Sequence, residues 1–198
     1  MTDVPARRPW ILAVFLIVAG ALGWWAAFSL TIDKIELLKN PDFIPDCNFS
    51  AFIQCGKNLD SWQGSVFGFP NPLIGLGGFV APIAVGVALL AGAHFARWFW
   101  ALFNLGIAGA LAFVIWLISQ SIYAPELHVL CPWCVLVWSV TIPLFWSVTI
   151  RNLKAGVYGA AARRIGSVLQ PWIVPLTVVC YIVVAVLAEL EIHILRTL

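Results

Sequence analysis

The chain has 198 residues, 62% of them hydrophobic and 10% charged, whereas soluble domains are about half apolar and about a quarter charged. That balance excludes an ordinary water-soluble domain. The net charge of +2 rests on few, scattered basic residues, which excludes a nucleic-acid-binding patch and makes their placement along the chain the informative quantity.

Five apolar runs are long enough to cross a hydrocarbon core about 30 Å thick, which takes about 20 helical residues. The first, Trp10 to Leu30, follows Arg7 and Arg8. It is longer than the roughly 7 to 15 apolar residues of a cleaved leader, so it reads as an uncleaved anchor. Thr31 to Asn71 is the one long connection, and long loops in compact proteins usually carry function. Its end, Trp62-Gln63-Gly64-Ser65-Val66-Phe67-Gly68-Phe69-Pro70, is apolar and aromatic, which predicts that it folds back onto the bundle or dips into the interface. Taken alone, Trp62, Phe67 and Phe69 read as interfacial anchors. The second run, Leu73 to Ala93, meets the third, Trp98 to Ser119, through a tight turn around His94 to Arg97. Gln120 to Leu130 leads to the fourth, Cys131 to Ile150, and a basic segment leads to the fifth, Trp172 to Leu190.

Backbone polar groups in lipid must be paired internally, and long runs without alternation are helices, not barrel strands. The predicted fold is an all-α membrane bundle with the long loop over one end, in a single domain spanning residues 1–198. Gly75, Gly77, Gly78, Gly106 and Gly109 are predicted to let helices approach closely, and Pro143 and Pro175 to bend theirs. Arg7, Arg8, Arg97, Arg151, Lys154, Arg163 and Arg164 fall in three of the segments between or before spans. By the positive-inside rule those segments, and the N-terminus, are cytoplasmic. The long loop, Gln120 to Leu130 and the tail then face the other side, with Asp33, Glu36, Asp42, Asp46, Asp60 and Glu126. The expected location is an inner or plasma membrane, crossed several times, with lipid as the surrounding partner.

Four of the five cysteines converge on that outer side. Cys131-Pro132-Trp133-Cys134 opens the fourth span, where unpaired N–H groups and the helix dipole favour a thiolate, most of all at Cys131. Pro132 suits a first helical turn. Cys47 and Cys55 lie in the loop, where an oxidising compartment permits a disulfide. Two pairs on one face make a relay, because a loop thiolate exchanges with a helix disulfide through a mixed disulfide. Cys134 lies a turn deeper, so the acceptor must be lipid-soluble, and a quinone meets that requirement. A four-cysteine zinc site is disfavoured by the seven residues between Cys47 and Cys55 and by the compartment, so no metal is expected. The loop pair could instead be a static brace. Cys180 reads as a buried core thiol. His94, His128 and His193 do not cluster; His128 alone lies near the cysteines and could assist Cys131 electrostatically.

The seven-residue spacing of the loop cysteines, the stretch Ser61-Trp62-Gln63-Gly64 with Phe67-Gly68, Asn71 before the second span and Cys131-x-x-Cys134 at the fourth together resemble the vitamin K epoxide reductase (VKOR) family. The resemblance covers Trp10 to Ile150. It implies a four-helix core, residues 10–150, around a quinone, with an extra helix at 171–195. It implies that Cys131 and Cys134 are the active-site pair, with Cys134 beside the quinone. Cys55 then exchanges with Cys131, and Cys47 is offered to a partner. Ser61 matches the family's loop serine or threonine, and Asn71 the asparagine that bonds a quinone carbonyl, although Asn71-Pro72 is also an ordinary helix cap. Phe67 and Trp138 are further candidate quinone contacts. Trp138 stands where vertebrate members have Tyr, which puts a polar contact there in doubt. No fused thioredoxin-like domain is expected, so the implied partner is a separate thioredoxin-like (DsbA-like) protein and the implied acceptor menaquinone or ubiquinone, as in short bacterial members. A conduit carrying electrons outward would need cysteines in the basic inner loops, which hold none. A transporter or structural protein would show no cysteine redox change.

Overall fold

A computed structural model describes residues 10–50 and 52–192; Arg7, Arg8, His193 and the end of the expected 171–195 helix lie outside them. Among the described residues eight α-helices follow one another: α1 Trp10–Lys39, α2 Gly56–Asp60, α3 Pro72–Gly78, α4 Val80–Leu90, α5 Arg97–Tyr123, α6 Pro132–Lys154, α7 Ala160–Leu169 and α8 Ile173–Ile192. Five helical segments among the described residues are long and apolar enough to cross a membrane, with α3 and α4 together making the second and α7 running into α8 in the fifth.

Several boundaries differ from the sequence expectation. α1 runs past Leu30 to Lys39 because its last turns are built of good helix formers. Lys39 pairs with Glu36 at 2.8 Å, and Leu37 is buried. The second span breaks at Phe79, whose ring fills the space that a side chain at Gly23 would need. Pro175 is the third residue of α8, a first-turn position where a missing N–H is harmless, so it needs no bend. α7 was not expected. It is amphipathic, follows Gly159 in a positive-φ conformation (103°), and seats Gly166 against the backbone at the end of α6.

Helix contact in lipid depends on close fit, because lipid is as apolar as the side chains. The fit is best between α1 and α4, where a Cβ on Gly86 would stand 2.7 Å from the carbonyl of Ala13, and one on Gly20 2.7 Å from Ile83. Of the glycines expected to serve this purpose, only Gly75 does so, against Ala27. Gly77, Gly78, Gly106 and Gly109 face open space. α6 packs on α1 and α5, and α8 lies against α5 and α6. Leu16, Val85, Trp100, Val140, Leu144 and Val148 form the core at the basic end. There Asn152, fully buried, donates Nδ2 to the carbonyl of Trp100 at 2.8 Å, and the Arg151 guanidinium lies 3.5 Å above the Trp100 ring.

Candidate functional site: two cysteine pairs above an apolar cavity

The long loop folds back onto the bundle by pairing with the second loop. Leu130 N–H donates to Phe52 O at 2.8 Å and Gln54 N–H to Leu130 O at 3.1 Å, so Ile53 and Leu130 form a short parallel bridge. Lys57 Nζ donates to Leu127 O at 2.7 Å, and Gln63 Nε2 to Glu126 Oε1 at 2.6 Å. The bridge sets Cys55, next after Gln54, beside Cys131, next after Leu130. Asn48 Oδ1 closes the cysteine loop by accepting from Cys55 N at 2.8 Å and Gly56 N at 3.1 Å.

Cys47 and Cys55 form a disulfide, while Cys131 and Cys134 are thiols. The Sγ of Cys131 lies 3.1 Å from that of Cys55, with both residues 0% exposed. Cys131 is the N-cap of α6, and its sulfur accepts from Cys134 N–H at 3.4 Å. Cys47 borders a second groove, with Phe49, Pro132 and Trp133. Asp33 Oδ2 lies 3.7 Å from its sulfur. A reduced Cys47 therefore has a carboxylate within reach of its proton.

Cys134 borders a cavity of about 670 Å³ whose walls include Phe79, Val85, Phe103, Phe113 and Leu144. Trp138 and Asn71 also line it. Asn71 does not cap α3 through its side chain. Its Nδ2 donates to Gln63 O at 2.6 Å and its Oδ1 accepts from Val66 N at 3.2 Å. The cap reading fails because the residue sits in a helical conformation (φ −55°, ψ −32°), whereas a capping side chain needs extended backbone. Ser61 is not part of the cavity wall. It caps the short 3-10 helix Trp62–Ser65, accepting from Gly64 N and donating to Asn58 O at 2.8 Å. Phe67 also lies off the wall, 59% exposed, with its ring on that of Phe113. Cys180 is half-buried, not fully buried. His128 lies near enough to Glu126 to favour its carboxylate. Among the described residues no group of three or more His, Cys, Asp or Glu is arranged to hold a metal ion.

Sequence reasoning passed over Asn48, Asn58 and Gln63. Asn58 and Gln63 line the cavity. Gln63 was visible only as the variable residue within Ser-Trp-x-Gly, and Asn48 only as the residue after Cys47. The side-chain partner of Gln63, Glu126, lies on another segment, and no local pattern reveals it.

A helical membrane bundle that sets a loop disulfide against a helix-start dithiol, with the deeper thiol on an apolar cavity, is a membrane thiol-disulfide oxidoreductase. The family model for the Vitamin K epoxide reductase family matches residues 14–149, and the chain belongs to that family. No curated protein sequence matches the chain.

Proposed function

We propose that the protein takes electrons from a separate thioredoxin-like, DsbA-like protein at Cys47 and Cys55. It passes them to Cys131 and Cys134, and reduces a membrane quinone, so driving disulfide formation in exported proteins. The observation that carries this reading is the 3.1 Å approach of Cys131 Sγ to Cys55 Sγ, with Cys134 on the cavity wall. Reacting atoms about 3 to 3.5 Å apart are at near-attack distance.

The exchange balances as follows. A partner thiolate attacks Cys47, and the partner's second thiol releases it, leaving the partner oxidised and Cys47 and Cys55 as thiols. Cys55 then attacks Cys131 in a Cys131–Cys134 disulfide, forming the Cys55–Cys131 bond and expelling Cys134 as thiolate. Attack of Cys47 on Cys55 restores the loop disulfide and releases Cys131. Two electrons now reside on the helix pair, the redox state of this structure.

The cavity suits a quinone: its walls are mostly apolar, and the residues lining it include the amides of Asn58, Gln63 and Asn71. Those features are typical of sites that bind an apolar ring with a few fixed polar groups. When bound, a quinone supplies a two-electron, two-proton sink and leaves as quinol. Cys134 and Trp138 are on the wall that would hold it, and the loop covers the buried Cys55 and Cys131 from water. The placement of basic residues supports a cytoplasmic N-terminus and an outward-facing cysteine end in an inner or plasma membrane. A single domain with core 10–150 accommodates all of this, with α8 packed outside.

Reconstitution with defined menaquinones and ubiquinones tests the reading. DTT or a reduced DsbA-like protein should yield quinol, and acid-trapped alkylation should show Cys131 and Cys134 cycling. Turnover without cysteine redox change, or cysteine cycling without quinol, would refute it.

A further inference from the structure

Among the described residues, two buried side-chain polar atoms lack a hydrogen-bond partner, Asn58 Nδ2 and Gln63 Oε1, and both residues line the large cavity. Leaving a buried donor or acceptor unpaired is unfavourable, and folded proteins rarely do so without a functional reason. The orientation of Gln63, 2% exposed, is set by chemistry. Its Nε2 donates to Glu126 Oε1 at 2.6 Å, and an ionised carboxylate only accepts, so the amide oxygen is turned the other way. Asn71 is already engaged at both ends of its amide. Asn58 Nδ2 has no such engagement, and Ser61 uses the backbone carbonyl of Asn58.

Resting on the reading that the cavity takes a quinone, we propose that Asn58 and Gln63 form a donor and acceptor pair that recognises its head group. Asn58 Nδ2 donates to a carbonyl oxygen of the quinone, turning about χ2, a broad torsion in asparagine. Gln63 Oε1 accepts from a hydroxyl of the quinol. A quinone oxygen carries only lone pairs, so it satisfies Asn58 and has nothing to give Gln63. A quinol hydroxyl carries a proton, so it satisfies Gln63. The two residues therefore divide the work: Asn58 governs affinity for the oxidised form, and Gln63 weights the pocket towards the reduced form. Two electrons and two protons from the Cys131/Cys134 dithiol convert one form into the other and leave the helix disulfide.

The test uses full-length Asn58→Leu and Gln63→Met proteins in lipid nanodiscs with a short-chain ubiquinone. Thermal melting without quinone, quenching of tryptophan fluorescence by the quinone, DTT-driven quinol formation and inhibition by added quinol are measured. A purely structural Asn58 has no side-chain bond to lose, so its replacement by an isosteric apolar residue should be neutral or stabilising in either case. The proposal adds that Asn58→Leu weakens quinone binding roughly tenfold, the worth of one hydrogen bond at the upper end of its usual range, and raises KM more than it lowers kcat. Gln63→Met should weaken quinol inhibition by a similar factor and leave quinone affinity within about twofold. Exchange between Cys55 and Cys131, followed by alkylation without quinone, reports that each variant has kept its fold. Unchanged quinone affinity in Asn58→Leu, or a lowered melting temperature, would overturn the assignment while wild-type quinone reduction still stood. A wild-type protein that bound no quinone would remove both readings.

Discussion

Asn71 donates through Nδ2 to the carbonyl oxygen of Gln63 at 2.6 Å, and so holds the end of the long loop against the start of α3. Its Oδ1 meanwhile accepts from Val66 N–H. Asn71→Asp keeps the second bond and sets an acceptor against the Gln63 carbonyl, so it should lower stability by about 1 to 3 kcal/mol. Asn71→Ser is too short to bridge both groups and should also lose stability. Melting in detergent checks both variants. An Asn71→Asp protein that melts like wild type would show that the amide does not hold the loop.

The Cys131 and Cys55 sulfurs are close enough to bond without rearranging the backbone bridge at Ile53 and Leu130. Removing the partner of each, Cys47 and Cys134, should therefore trap them. Oxidation of a Cys47→Ala, Cys134→Ala double variant is expected to give a stable Cys55–Cys131 disulfide, read by peptide mass spectrometry. Cys131→Ala or Cys134→Ala alone should abolish quinol formation. Cys47→Ala should lose oxidation of a protein partner but keep part of the DTT-driven rate, since a small dithiol reaches the inner pair directly. Equal loss with both reductants would mean that Cys47 serves the inner pair as well.

Glu126 lies in the loop between α5 and α6, outside the membrane helices. Its carboxyl is held below its ordinary value, first by its own backbone N–H, then by the Gln63 amide, with smaller help from Trp62 and nearby His128. A folded value below the unfolded one means that the stabilising contribution is complete above the usual carboxylate range, roughly pH 4. It is lost as pH falls through the lowered value. Wild-type melting temperature should therefore fall more steeply on acidification across that window than that of Glu126→Gln, with little difference near neutrality. Parallel acid limbs for the two proteins would contradict the clamp between Glu126 and Gln63.

At the basic end, Asn152 and Arg151 both address Trp100. Asn152→Ala leaves the buried Trp100 carbonyl without its side-chain donor and should cost about 1 to 3 kcal/mol. Arg151→Lys keeps the charge but loses the planar stacking and the bond to Asn152 Oδ1 at 3.0 Å, with an expected loss of about 0.5 to 2 kcal/mol. Denaturant titration in detergent measures both. Silent variants would place the stability of this end in helix packing alone.

The spans, the chain order and the chemistry-bearing cysteines were legible because each is a local property. Apolar length marks a membrane helix, and Cys131-Pro132-Trp133-Cys134 carries its own helix start. The joint spacing of Cys47, Cys55, Asn71 and Cys131 pointed to the family. Boundaries were less legible where a local preference competes with a distant contact. α1 continues through Asp33 and Glu36 because Leu37 finds a buried place, and α3 ends at Gly78 with Phe79 seated over Gly23.

By itself, then, the sequence determined a five-span helical bundle with two cysteine pairs, since hydrophobic length and cysteine spacing act along the chain. Only the tertiary structure decided which polar side chains keep unpaired atoms at the cavity wall. Asn71 is consumed by Gln63 and Val66, Ser61 by its own short helix, and Phe67 by Phe113, while Asn58 and Gln63 are left with unpaired atoms at its wall. An amide's role depends on which partners lie within about 3 Å. Those partners come from segments far apart in the chain, so their identity is settled only when the loop closes over the bundle.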